Sequence, residues 1–221
     1  MNDAIRNMLP FAIGVAVSPI PIVAVVLMLT SRRGKANGLA FVAGAALGLA
    51  LIGGAVLIAG SNGFFVIAGT NDDDAKRLDL IFGVLLLLGA ARSFRKWLKQ
   101  RNEPRQTPKW MDRLDHVTPI KAGAIALGLA FVNFKNLVLT MAGMTEIMKG
   151  TLSETERWTA LAIFILIGIA GPAVPVAIAY VAGERAPAKL DALKLWLIAH
   201  NNALLAVILL AIGAKLLHDA I

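Results

Sequence analysis

Lys135 carries the strongest chemical signal in this chain. It lies in Asn133-Phe134-Lys135-Asn136, between an uncharged run from Ala122 to Phe134 and another from Asn136 to Thr145. A charge in mid-membrane costs about 2.5 to 3.5 kcal/mol on insertion scales, so such a lysine faces protein or water and is kept for a reason. In a central cavity its ammonium would meet a phosphate, sulfate or carboxylate, or act as an ion-coupled group. The plainer readings are an internal ion pair or a side chain snorkelling to the surface, and the apolar flanks hamper the second. Asn133 and Asn136 are three residues apart and share a helix face, where they either bind substrate or bridge helices.

Two further groups could line the same site. Pro19 and Pro21 follow Ser18 within the first apolar segment, and Pro172 and Pro175 interrupt the fifth. Prolines lack a backbone donor, so each pair predicts a kinked or unwound turn that is tolerated where it lines a cavity. Freed carbonyls and half-helix N-termini can hold substrate there, and Ser18 could donate to a ligand or satisfy a freed carbonyl. Asp79, near Arg77, is a candidate coupling carboxylate, although a solvated interfacial acid is the plainer role. Asp72, Asp73 and Asp74 read as a solvated acidic loop without a calcium-loop pattern. His200, Asn201 and Asn202 read as an interfacial cluster opening the sixth segment. No Walker loop, nucleophile elbow or His-Glu-x-x-His pattern occurs, so the expectation is no enzyme, no catalytic residue, no metal and no cofactor.

The elements that must position these residues follow from composition. The 221 residues are 57% hydrophobic and 16% charged, with mean hydropathy +0.71, too apolar for an ordinary soluble domain. Apolar stretches at 8–30, 36–60, 78–98, 119–144, 158–182 and 196–217 predict six membrane-crossing helices. If the first runs from outside to inside, the inner connections hold 15 basic and 5 acidic residues and the outer segments 6 basic and 9 acidic. Positive-inside asymmetry then places both termini outside a plasma membrane, and the net charge of +8 speaks of membrane sidedness, not of nucleic acid. The absence of cysteine excludes disulfides and thiolate metal sites.

The predicted organisation is a first three-helix unit (1–98), a basic inner-face linker (99–118) with a short amphipathic helix around Trp110, Met111 and Leu114, and a second three-helix unit (119–221). Ser153 and Glu156 form a capping-box pattern ahead of the fifth helix. Gly48 and Gly60 match Gly171 and Gly183 at an offset of 123, and Gly89-Ala90 matches Gly213-Ala214 at 124. Two three-helix copies must be antiparallel, the inverted-repeat plan of many transporters. In that register the Pro19-Ile20-Pro21 break corresponds to Asn133-Phe134-Lys135. The glycine-rich second helix permits close packing of a neighbouring helix, and homodimerisation through it is a further expectation.

The segments Ser18-Pro19-Ile20-Pro21-Ile22-Val23, Ser31-Arg32-Arg33, Pro108-Lys109-Trp110-Met111, Asn133-Phe134-Lys135-Asn136-Leu137, and Trp196 through His200-Asn201 to Gly213-Ala214-Lys215-Leu216-Leu217 span nearly the whole chain. Together they resemble the GAP/Sap family of actinobacterial membrane proteins (glycopeptidolipid- and sulfolipid-addressing proteins) within the lysine exporter (LysE) superfamily. The resemblance implies a six-helix, exporter-like, all-α membrane fold in a bacterial plasma membrane and the movement of a glycolipid or other amphiphile towards the cell surface. Membrane lipids and a lipid or small-molecule substrate are the partners it implies. In that family the fourth-helix motif looks like Asn-Pro-Lys-Asn, and Phe134 stands here in place of the proline, which puts a sharp break of this helix in doubt. The competing readings are a small-solute exporter and a non-transporting assembly factor that scaffolds lipid-synthesis enzymes through the basic linker. A central lysine without an acid at its depth disfavours a cationic solute.

Overall fold

The computed structural model describes residues 2–61, 72–100, 117–149 and 151–220, and within them every regular element is helical. In chain order the helices are α1 (Asn2–Ala16), α2 (Pro19–Leu29), α3 (Gly34–Ser61), α4 (Asp72–Gln100), α5 (Pro119–Val132), α6 (Phe134–Lys149), α7 (Glu154–Gly168), α8 (Ala170–Val181) and α9 (Ala186–Ala220), with a single 3-10 turn at Gly183–Arg185.

Local sequence explains where they start. α2 and α5 each open on a proline in the first turn, where the missing N–H has no partner to lose. Thr118 caps α5 by accepting from the Lys121 amide. Ser153 and Glu156 exchange the reciprocal bonds of a capping box, as their spacing predicts: the Ser153 amide donates to Glu156 Oε2 at 2.9 Å and the Glu156 amide to Ser153 Oγ at 3.4 Å.

Among the described residues, only α3 is by itself long and apolar enough to cross a bilayer, at mean hydropathy 2.4 over Gly34–Gly60. Three pairs of shorter helices reach crossing length together, bent by 47° between α1 and α2, 71° between α5 and α6, and 52° between α7 and α8. α9 bends by 63° between Ala186–Leu197 and Asn202–His218. Counting each bent pair as one crossing gives up to five, and α4 adds an uncharged run from Leu80 to Ala91 between Asp79 and Arg92. Large apolar side chains such as Ile120, Val132 and Val181 are more than four-fifths exposed, a surface that hydrocarbon tolerates and water does not. The chain is a helical membrane protein.

α3 packs on α5, α4 runs along α9, and α1 lies against α6 and α7. One core gathers Met8, Phe11, Leu139, Met144, Phe164 and Leu216, and a second gathers Val25, Met28, Phe41 and Ala126. The glycines of the second apolar segment serve close packing within the chain. A Cβ on Gly44 would overlap the Gly123 carbonyl of α5, and one on Gly48 would press on Ala130.

Several expectations change. The fourth apolar segment is broken at Asn133, and more sharply than the first or fifth, although Phe134 replaces a proline. Phe134 is the first residue of α6 and is 60% exposed, so a lipid-facing ring fits where proline would also fit. The turn is made by Asn133 itself, at φ −76° and ψ 88°. Its amide still donates to Leu129 and its carbonyl still accepts from Leu137, so the chain bends without orphaning either group. Asp72 to Asp74 open α4 and do not form a loop. α9 begins at Ala186, so His200 lies inside a helix, stacked on Trp196 with its Nδ1 2.9 Å from the Trp196 carbonyl, and does not open one. Residues 101–116, with the predicted amphipathic helix, lie outside the described residues.

Gly44→Leu should lower stability in detergent by about 1 to 3 kcal/mol, the usual cost of overpacking a tight contact. Gly128→Ala, inside α5 where an added Cβ meets nothing within 4 Å, should leave stability unchanged or raise it by up to about 1 kcal/mol. Thermal unfolding of the two purified variants compares them.

Candidate functional site

The site grows from a missing hydrogen bond. Pro19 has no N–H to return to the Val15 carbonyl one turn earlier. That carbonyl instead accepts from the Ser18 amide at 3.1 Å. In a continuous helix the Ser18 amide would have served Gly14, so the Gly14 carbonyl is left without its helical donor at the end of α1. A carbonyl orphaned at membrane depth costs several kcal/mol unless another group reaches it.

Lys135 supplies the partner, its Nζ donating to the Gly14 carbonyl at 2.6 Å across 121 residues of sequence. The charge suits the place. Lys135 sits in the first turn of α6, the wrong end of that helix for a cation, but its ammonium reaches the C-terminal end of α1, where the partial negative charge of the helix dipole favours it. Neither an ion pair nor snorkelling describes this lysine. It is partly buried and bonded to backbone.

Beside it, Asn133 Nδ2 donates to Ser18 Oγ at 3.3 Å. Ser18, buried, makes no side-chain bond to its own helix, so its hydroxyl is free to bridge. The first and fourth segments therefore meet at their breaks through two hydrogen bonds. The fifth-segment break joins them, since Gly171 packs so closely on the Ala16 carbonyl that any side chain there would overlap it.

Next to these bridges lies a cavity of about 30 Å³, whose walls include Val15, Pro21, Leu49, Ala130, Asn136 and Pro172. It thus collects the first, fourth and fifth breaks. A water needs roughly 10 to 15 Å³ measured this way, so the cavity has room for about two waters and none for a lipid. Asn136, the one polar side chain among otherwise apolar walls, is 6% exposed, and its Oδ1 has no protein partner. Lys135, Asn133 and Ser18 are not among the walls. Pro19 and Pro175 are buried in α2 and α8. Asp79 falls in the second turn of α4, and its side chain lies outside the described residues.

The family model described as Sap, sulfolipid-1-addressing protein, matches residues 8–221. The chain belongs to this family. No curated protein and no solved structure matches it. The matched range covers every candidate residue named above, so the breaks and their bridges lie within the part of the chain that defines the family.

Sequence reasoning passed over three groups. The Gly14 carbonyl carries no side-chain signal. Asn37, fully buried, donates from Nδ2 to Ser31 Oγ at 2.9 Å and to the Val117 carbonyl at 2.8 Å, tying the α2–α3 turn to the start of α5. An amide at the edge of an apolar run was its only mark. Glu146 is 4% exposed and bonds Lys149 Nζ at 2.7 Å, and the acid-to-lysine spacing of three on one helix was the available signal. Among the described residues no cluster of histidine and acidic side chains could hold a metal.

A double-mutant cycle on Ser18→Ala and Asn133→Ala should return a coupling of about 0.6 kcal/mol, the average for hydrogen bonds between membrane helices. Unfolding of the four proteins in mixed micelles measures it. Additive effects would show the contact to be energetically silent.

Proposed function

We propose that this protein is a secondary-type membrane transporter that moves an amphiphile, such as a glycolipid or other lipid with an anionic head, towards the cell surface. Membership of a family described by sulfolipid addressing supports a lipid cargo. The observation that carries the reading is the joint of broken helices. Polar groups at Ser18, Asn133 and Lys135 bridge the first and fourth segments directly beside a cavity walled by apolar side chains and Asn136. A polar patch adjoining an apolar recess matches a molecule with a head and a tail.

The mechanism is alternating access. A cavity of about 30 Å³ is closed to a lipid, so the half-helices must part before cargo enters. Breaks at Ser18, Asn133 and Ile169 supply the hinges, because a few non-helical residues can absorb the change in backbone angles. In this reading the chain forms six crossings as two inverted three-helix repeats of the LysE-like kind. α1–α2 then corresponds to α5–α6, α3 to α7–α8, and α4 to α9. Packing of α4 along α9 suits two equivalent elements beside a pseudo-two-fold axis, and so does the meeting of the first and fourth breaks. The basic connections face the cytoplasm and both termini face outward, in a bacterial plasma membrane. An ion gradient supplies the energy, and no enzymatic step or cofactor is required.

Asn136→Leu tests this directly in cells whose own copy is deleted. The variant removes an unpartnered buried carbonyl, so its thermal stability should equal or exceed wild type. Cell-surface lipid, measured by extraction and mass spectrometry, should fall roughly tenfold, the effect of losing about 1.4 kcal/mol of differential binding. Deleting Lys99 to Thr107 should leave export largely intact. Normal export by Asn136→Leu together with lost export on the deletion would overturn transport in favour of a scaffold.

A further inference from the structure

We propose that Lys135 is the proton switch of the joint. Protonated, its ammonium caps the Gly14 carbonyl and holds the first and fourth breaks together. Neutral, it releases that carbonyl and lets the half-helices part. The inference deepens the transporter reading by naming the coupling ion as a proton and its carrier as a lysine, in place of Asp79.

The geometry singles this lysine out. Its ammonium has one protein acceptor, a neutral backbone oxygen, and no carboxylate pairs with it among the described residues. The charged groups on the elements around it sit elsewhere. On α1 they are Asp3 and Arg6, which precede Gly14 by eleven and eight residues, about 16 and 12 Å along the helix axis. On α6 they are Glu146 and Lys149, Glu146 lying about 16 Å along the axis from Lys135 and bonded to Lys149. α5 contributes Lys121, α3 Lys35, α7 Glu154, Glu156 and Arg157, and α4 Asp72, Asp73, Asp74, Lys76, Arg77, Asp79 and the basic group from Arg92 to Lys99, the side chains of the four acids lying outside the described residues. α9, whose Ile208 and Ile212 lie against Gly14, carries Lys189, Asp191, Lys194 and His200 before those isoleucines and Lys215, His218 and Asp219 after them. Among the described side chains none of these bonds Lys135.

The step is a simple acid dissociation. An N–H bond of the Lys135 ammonium breaks, its electron pair stays on Nζ, and a water accepts the proton as hydronium. Lys135 does not itself line the cavity beside Asn136, one residue along α6, but that cavity has the volume to supply a water, which reaches Nζ as the joint loosens. Loss of the proton removes the charge held at this depth and, with it, the attraction to the negative end of α1. The Asn133 to Ser18 bond, at 3.3 Å, is then the remaining polar bridge between the breaks.

The chain has no cysteine, so one introduced at Val17, inside the first break, is a clean reporter of opening. Its rate of modification by a methanethiosulfonate reagent is divided by that of a second protein carrying cysteine at exposed Arg33, which cancels the pH dependence of the thiol. Both are full-length proteins in liposomes without cargo. In the wild-type background the normalised rate should rise from acid to alkaline pH by up to about tenfold per pH unit, the limit for release of one proton. Lys135→Arg, which keeps its charge, should hold the rate low at every pH. Lys135→Met should hold it high, and thermal unfolding shows whether that variant is folded. If Lys135→Met does not fold, Lys135→Arg decides alone. A Lys135→Arg profile that still follows wild type, or a wild-type rate that does not change with pH, overturns the proposal. Because no cargo is present, either result leaves the lipid-export reading to its own test.

Discussion

At membrane depth a backbone carbonyl has no water to turn to, and the architecture around the joint follows from that constraint. One proline removes one donor. The deficit passes from Val15 to Ser18 and ends at Gly14, whose carbonyl would be costly to leave bare. Closing it takes a donor long enough to cross from a neighbouring helix and positive enough to suit a helix C-terminus. Lysine meets both needs, and the lysine in turn needs somewhere to put a charge that lipid would penalise. Each group answers the other's cost, which is why the first and fourth segments are held at their weakest points.

The joint divides labour between polar and apolar parts. The bridges of Ser18, Asn133 and Lys135 hold helices, while the adjoining cavity is walled by apolar side chains, Phe41 among them, and the side-chain amide of Asn136. Asn136 is kept in that cavity without a protein partner for its Oδ1, although an apolar residue would avoid the desolvation cost. Residues that cost stability without serving the fold tend to serve function. The close seat of Gly171 on Ala16 has a similar logic, since it brings the fifth break against the first and makes three flexible points into one joint.

Much of this was legible in residue types. A lone lysine among apolar residues marked the bridge to the first segment, and the prolines marked two of the breaks. Ser153 with Glu156 fixed a helix start, because capping is local chemistry between neighbours. What escaped was either backbone or context. The partner of Lys135 is a carbonyl, which every residue possesses, so no side chain announces it. The break at Asn133 lacks the proline that would advertise it, yet Asn133 turns the chain while keeping both its backbone bonds. Asn37 and Glu146 are buried by neighbours distant in sequence, and hydropathy alone placed each of them at the rim of an apolar run. The start of α9 at Ala186 escaped because its first turns are polar, and polarity separates lipid from water, not helix from loop.

The separation of 121 residues between Gly14 and Lys135 also bears on how the chain is made. Helices enter the bilayer in order of synthesis, so the first segment is complete long before the fourth exists. Until then the end of α1 has neither its own Ser18 amide nor the distant ammonium, and interim partners such as water or the insertion machinery must satisfy it. The part of the chain that precedes the fourth segment therefore has an unfinished joint until Lys135 arrives. Its late completion by Lys135 makes arrival of the fourth segment the step that commits the whole chain to its final arrangement.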